Sequence, residues 1–186
     1  MRRYDLKSML FIGTVALFFL GGTIPAQAIP IEVNFIAEDF TLSPHSSPFP
    51  TDPPTDPVIG TIIYEAASVT ANIDSLTSID LIIDEHHYSI SEIGFISPFS
   101  GSRQKIGGTL TEVNGIFSGT NDFWLDWDQD TLIPMWFYYT SSSIEGIWFS
   151  TTFSSFSVEA VPEPATLLLL ASGLLGLLGF RRKFKN

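Results

Sequence analysis

The chain has 186 residues, a formal net charge of −11 and no cysteine. Between Ile29 and Val161 only Arg103 and Lys105 are basic against eighteen acidic residues, which gives this segment a charge of −16. So acidic a segment repels phosphate backbones, and nucleic acid is therefore excluded as an expected partner. The lack of cysteine also excludes thiol catalysis, zinc-thiolate sites and disulfide cross-links.

Residues 1–28 have the three parts of a secretory signal peptide. A positive start is made by three basic residues, Arg2, Arg3 and Lys7. An apolar run follows over residues 9–20, and Ala26 and Ala28 then form the small-x-small pattern that signal peptidase requires. The sequence predicts export by the Sec machinery and a mature chain that begins at Ile29. A retained signal anchor is the alternative, but the apolar run is short for a membrane span.

Residues 29–160 are predicted to form one acidic exported domain of the all-β class, an antiparallel β-sandwich or jelly-roll-like fold. Short apolar and aromatic runs separated by turn signals are typical of such folds. The predicted strands cover residues 33–40, 58–65, 69–73, 78–83, 88–93, 109–113, 116–118, 122–127, 134–140 and 147–156.

Four connections are predicted between these strands. Residues 43–57 contain six prolines, which favour an extended surface loop, and residues 101–108 are predicted to form a polar loop. Hairpin turns are expected at residues 84–87 and at Asn114-Gly115, a strong hairpin signal.

Two groups of polar residues are candidate metal sites. Asp126, Asp128 and Asp130, with Asp122 upstream, alternate along a predicted strand and offer oxygen ligands for Ca²⁺, although a solvated strand end that leads into a loop is the preferred explanation. The second group, Asp84-Glu85-His86-His87, has ligands for a transition metal, but a polar turn accounts for it and His45 is isolated. We expect no cofactor, and Ca²⁺ at Asp126, Asp128 and Asp130 is the one alternative.

Aromatic residues are concentrated in the second half of the domain. They are Trp124, Trp127, Trp136, Phe137, Tyr138, Tyr139, Trp148 and Phe149. Consecutive rings at residues 136–139 cannot all face one side of a strand, so some are predicted to be exposed or to be covered by a partner or a loop. Exposed rings would favour a carbohydrate-binding face, whereas buried rings would only form the core.

The C-terminal residues 161–186 form a membrane-handling segment. Pro162, Glu163 and Pro164 precede an apolar run at residues 165–180, predicted to be a transmembrane helix. As a helix this run is about 24 Å long, short for a bilayer span. A basic stop-transfer end follows at residues 181–185, with Arg181, Arg182, Lys183 and Lys185. By the positive-inside rule this end stays cytoplasmic, which places the domain on the exported side of the membrane.

This order of a Pro-Glu-Pro tripeptide, a Leu/Gly-rich helix and a basic end resembles the PEP-CTERM protein-sorting domain. The resemblance implies recognition by an exosortase, cleavage at or near residues 162–164, and transfer from a transient membrane anchor to the cell surface or the medium. It also implies an association with exopolysaccharide and biofilm formation. It does not extend to residues 29–160.

Three functions are therefore open for the exported domain. It is expected to be a non-enzymatic surface or matrix protein, and the alternatives are a carbohydrate- or calcium-binding module and a secreted hydrolase. The sequence contains no nucleophile elbow or phosphate-binding loop, but a carboxylate pair assembled across strands would be invisible in it.

Overall fold

The structure, a computed structural model, describes residues 28–44, 52–108, 115–162 and 172–173 and is all-β. In chain order its strands are β1 (Ile29–Glu38), β2 (Thr41–Leu42), β3 (Val58–Ala66), β4 (Ser75–Ile83), β5 (His86–His87), β6 (Gly94–Phe99), β7 (Arg103–Gly108), β8 (Phe123–Asp128), β9 (Pro134–Tyr139), β10 (Trp148–Ser150) and β11 (Thr152–Ala160). A single 3₁₀ turn at Ile90–Glu92 interrupts the strands of this described part.

The strands form two antiparallel sheets, and the apolar core lies between them. The first sheet has the order β11-β1-β3-β4-β5, and the second has the order β2-β10-β9-β8-β7-β6. Rings from the two sheets meet in the middle, with centroid distances of 5.2 Å between Phe35 and Phe137 and 6.3 Å between Tyr64 and Trp127. All four side chains are buried, so the domain is held by apolar packing without cross-links.

Five of the ten predicted strands are confirmed. The alternation of apolar and polar residues placed β1, β3, β4, β8 and β9 within a few residues of their observed bounds. In β1 every second residue from Ile31 to Ala37 is buried, which is the pattern of a strand with one face on the core.

The strand predicted at residues 69–73 is wrong, because this segment is a bend between β3 and β4. The Ala71 amide donates to the Ser68 carbonyl at 3.0 Å, and the Ile73 amide donates to Ser97 Oγ at 2.7 Å. The apolar residues of the bend pack against the core from a loop. The apolar residues at 69–73 therefore indicate that the segment packs on the core, but they do not indicate a strand.

The polar loop predicted at residues 101–108 is also wrong. Residues 103–108 form β7, an inner strand that pairs with β6 and with β8. Ile106 points into the core, whereas Arg103 and Lys105 lie on the opposite face of the sheet. The two basic residues favoured a solvent-exposed loop in the prediction. In the structure both cations are covered by neighbouring side chains, so they lie within a strand.

Two further strand predictions differ from the structure. Residues 88–93 contain the 3₁₀ turn, and the partner of β4 in this hairpin is the two-residue strand β5. Residues 147–156 are divided between β10 and β11, which belong to different sheets. The crossing lies between Ser150 and Thr152, where the Thr152 amide donates to Ser150 Oγ at 2.9 Å.

Several predicted features lie outside the described residues. These are the signal peptide, the strand at 109–113 with Asn114, residues 45–51 of the proline-rich loop, and the C-terminal segment beyond Pro162 apart from residues 172–173. Residues 116–118 are described and form no strand. Within the described part, no helix has the length and apolar character needed to cross a membrane.

Candidate functional site

The outer face of the second sheet carries half of the aromatic cluster. Along β9, Phe137 and Tyr139 are buried in the core, whereas Trp136 and Tyr138 point away from it and are half-buried. The predicted division of these consecutive rings between two faces is thus confirmed. The same division holds on the neighbouring strands, where Trp124 lies on the outer face next to Tyr138.

The outer rings stand against one another across the strands. The ring centroids of Trp124 and Tyr138 are 4.9 Å apart, and those of Tyr138 and Phe149 are 5.5 Å apart with an interplanar angle of 22°. Tyr138 and Phe149 are therefore stacked, whereas the Trp124 ring is tilted by 36° against Tyr138. The faces of Tyr138 are consequently covered by its neighbours.

Both basic residues of the acidic domain lie on this same face. Lys105 is only 1% exposed, and its Nζ lies 3.4 Å from the centroid of the Trp124 ring. The Arg103 guanidinium lies 4.7 Å from the centroid of Trp136 and 5.2 Å from that of Phe99. Each cation therefore packs on aromatic faces, an arrangement that is favourable when the cation is withdrawn from water.

A buried carboxylate balances the two cations. Asp126 is 0% exposed and forms an ion pair with Arg103, diagonally across the β7–β8 ladder. Burial raises the pKa of Asp126, while Arg103 and Lys105 act in the opposite direction. Asp126 Oδ1 and Arg103 Nε are buried and have no hydrogen-bond partner among the described residues, so the cluster carries a desolvation cost that packing must offset.

Burial also lowers the pKa of Lys105 from 10.5 to about 8. Between these two values the unfolded chain binds more protons than the folded chain, so the free energy of unfolding should rise with pH. We expect this rise between pH 8 and pH 10 in urea unfolding, and we expect it to be absent in Lys105→Met. A rise of equal size in the variant would show that Lys105 is not its source.

The three carboxylates considered for calcium have different surroundings. Asp126 is committed to Arg103, whereas Asp128 Oδ1 accepts from the Thr131 amide at 2.8 Å and the Asp130 amide at 3.1 Å. These bonds hold the turn after β8 and lower the pKa of Asp128. Asp130 is exposed within that turn, and in the described residues no group of three or more potential ligands is gathered around one point.

The residues at 84–87 also have separate partners. Asp84 accepts hydrogen bonds from Ser141 and Ser143, which lower its pKa. His86 Nε2 instead lies 3.6 Å from Glu92 Oε1. The predicted turn is confirmed at Asp84 and Glu85, both of which have positive φ angles, while His45 lies outside the described residues.

The start and the end of the domain lie side by side. Ile31 of β1 pairs with Ala160 of β11, and beyond this pair the Val161 amide donates to the Pro30 carbonyl at 2.8 Å. Pro162, the first residue of the predicted sorting motif, follows at once. The described domain therefore ends where the motif begins, next to the predicted mature N terminus.

These observations define a chain in which an all-β domain leads directly into a C-terminal Pro-Glu-Pro segment. Residues 160–183 match the protein-family model of the PEP-CTERM protein-sorting motif, so the chain carries this motif at its C terminus. The motif indicates an exported protein that is made as a membrane-anchored precursor and processed by an exosortase. Neither the curated proteins nor the solved structures contain a match to the chain.

Proposed function

We propose that this protein is a non-enzymatic cell-surface or extracellular-matrix protein, released from the inner membrane by exosortase at or near Pro162-Glu163-Pro164 and acting with exopolysaccharide in biofilm formation. The observation that carries the proposal is the sorting motif at residues 160–183, which begins at the last residue of β11. The Sec machinery and signal peptidase act first, and the domain faces the periplasm until its release. The proposal requires no cofactor.

The surroundings of the buried carboxylates support a non-enzymatic role. Asp126 is held by Arg103 beneath aromatic rings. Asp122 is almost fully buried, and it accepts hydrogen bonds from the Phe117 amide at 3.3 Å and from Thr120 Oγ1. Both carboxylates thus have structural partners, whereas a hydrolase of the two-carboxylate kind needs an acid and a base that face a shared cleft.

The test of the sorting step is the location of the domain. We expect Pro162→Ala, Glu163→Ala and Pro164→Ala together to leave the protein in the membrane fraction of cells that contain the exosortase. A control triple substitution at the exposed positions Ser75, Thr77 and Ser78 should be released like the unaltered chain. Release of the motif variant in equal amount would contradict the proposal.

Glycan binding is the second candidate function, and the outer aromatic face favours it. Phe149 ends the row of stacked rings, so one of its faces is not covered by another ring of the described residues. Trp136 packs against Arg103 and is half-buried. Aromatic rings at such positions can contact the apolar faces of sugars.

We expect Trp136→Ala and Phe149→Ala each to weaken binding to the exopolysaccharide of the producing cells by roughly fivefold, which corresponds to about 1 kcal/mol. The control is Phe117→Ala, because Phe117 is an exposed ring of the loop that precedes β8. Isothermal titration of the released domain measures the effect. Equal binding by all three variants would exclude this face as the glycan site.

A further inference from the structure

The ladder between β1 and β11 ends at the sorting motif. β11 is an edge strand, with β1 as its one neighbour among the described strands. The last bond of the ladder runs from the Val161 amide to the Pro30 carbonyl. Hydrogen-bonded pairs alternate with non-hydrogen-bonded pairs along an antiparallel ladder, so the next hydrogen-bonded pair is Glu32 with Glu159.

Two prolines weaken this end of the ladder. Pro30 has no N–H to donate to the Val161 carbonyl, so the last pair has one hydrogen bond where an ordinary pair of this kind has two. Pro162 follows Val161 and also lacks an N–H. Beyond the pair of Glu32 and Glu159, the end of β11 is therefore held to β1 by the single bond from the Val161 amide to the Pro30 carbonyl.

That pair is itself unfavourable. Glu32 and Glu159 lie directly opposite each other, and opposite residues of an antiparallel pair project from the same face of the sheet. Like charges in this arrangement destabilise a sheet. Asn34 Nδ2 donates to Glu32 Oε1 at 2.6 Å, but in the described part of the chain neither carboxylate has a cationic partner.

The same residues contribute little to the core. Glu159, Ala160 and Pro162 are exposed, and Val161 is half-buried. The first buried side chain met from this end is Val158, which is 7% exposed and pairs with a core residue of β1. Separation of residues 159–162 from β1 would thus break few hydrogen bonds, and none of these four side chains is fully buried.

We propose that residues 159–162 are a detachable strand end, which leaves β1 and enters the exosortase as an extended peptide while Val158 keeps the rest of β11 in the sheet. Enzymes and binding domains that take extended peptides pair with the peptide backbone, so groups bonded to β1 must first be released. This inference rests on the proposed exosortase processing. It explains how a folded domain can give the enzyme access to a Pro-Glu-Pro tripeptide that begins one residue after Val161 of the β1–β11 ladder.

A reversible cross-link tests the proposal in the full chain. Glu32→Cys with Glu159→Cys joins the detachable end to β1 on the outer face of the sheet, and the natural chain has no cysteine to compete. We expect the disulfide to lower the initial rate of exosortase processing at least tenfold, measured by intact mass, and a reductant to restore it. Both positions precede residue 160, where the match to the sorting motif begins.

The matched control is Asn34→Cys with Ser157→Cys. This pair lies in the same ladder and on the same face, but on the other side of Val158. Its disulfide should leave the processing rate unchanged. Equal rates for the two cross-linked proteins, whether both slow or both fast, would overturn the proposal while leaving exosortase processing intact. Absence of processing in the unaltered chain would instead remove the proposed function.

Charge reversal gives a second measurement without a cross-link. Glu159→Lys replaces repulsion across the pair with attraction, and we expect processing to slow about threefold. The double variant Glu32→Lys with Glu159→Lys restores a like-charge pair and should return to the original rate. A double variant as slow as the single one would contradict a role for this repulsion.

Discussion

Asp126→Ala is expected to lower the free energy of unfolding of residues 29–161 by about 3–5 kcal/mol, because it leaves two cations without their counter-charge. Arg103 forms its ion pair with Asp126, and Lys105 lies opposite Asp126 in the β7–β8 ladder. Neither cation can return to water without disturbing the rings that cover it. Urea unfolding followed by tryptophan fluorescence measures the loss.

The control for this variant is Asp130→Ala, which removes an exposed carboxylate two residues after β8. Its effect should lie within about 0.5 kcal/mol of zero. A second comparison separates charge from packing. Replacing the three charged residues of the cluster together with apolar residues (Asp126→Leu, Arg103→Met and Lys105→Met) should cost much less than Asp126→Ala. Equal losses in the two proteins would contradict this account of the cluster.

Gly107→Ala is the second substitution with a large expected effect. Gly107 has a φ of 135°, and a Cβ at this position would lie 2.1 Å from the carbonyl oxygen of Phe123 on the paired strand. Backbone atoms of β8 cannot move aside without breaking the ladder. We therefore expect a loss of more than about 3 kcal/mol in the same unfolding experiment.

Gly101→Ala is the matched control for the effect of backbone conformation alone. Gly101 also has a positive φ, of 84°, but in the described part of the chain no atom beyond its two sequence neighbours lies within 4 Å of the position of its Cβ. Its substitution should cost only the local strain of a non-glycine residue, about 1–2 kcal/mol. If the two variants were equally stable, the close approach of β7 to β8 would not be the cause of the loss at Gly107.

The features that sequence could predict are those with local causes. The alternation of apolar residues along β1 and β3 predicted both strands, because each strand has one face on the core. The consecutive rings of β9 had to point to both faces of the strand, and in the structure they alternate between the core and the outer face. Turn chemistry likewise located Asp84 and Glu85.

The features that sequence missed depend on distant residues. The residues next to Arg103 and Lys105 in the sequence do not indicate an inner strand. The rings that cover the two cations belong to β8, to β9 and to Phe99. One signal was available: they are the only basic residues of an otherwise acidic domain, and they are spaced for one face of a strand. The separation of residues 147–156 into two sheets has no comparable signal, since both strands are apolar and hydroxyl-rich.

The detachable end shows a similar limit. The sequence placed Pro162 at the start of a sorting motif but could not show that Val161 pairs with Pro30 or that Glu159 lies opposite Glu32. These contacts join residues more than 120 positions apart, and they became visible only with the register of β1 and β11. The register thus connects a motif recognised from local sequence to the domain that it delivers.

The intact mass of the protein from cells with and without the exosortase is the most direct test of the central claim. With the enzyme, the account predicts a chain that begins at Ile29, ends at or near residues 162–164 and has lost the C-terminal segment. Without it, the chain should keep its C terminus at Asn186 and stay with the membrane. A C terminus at Asn186 under both conditions would contradict the account.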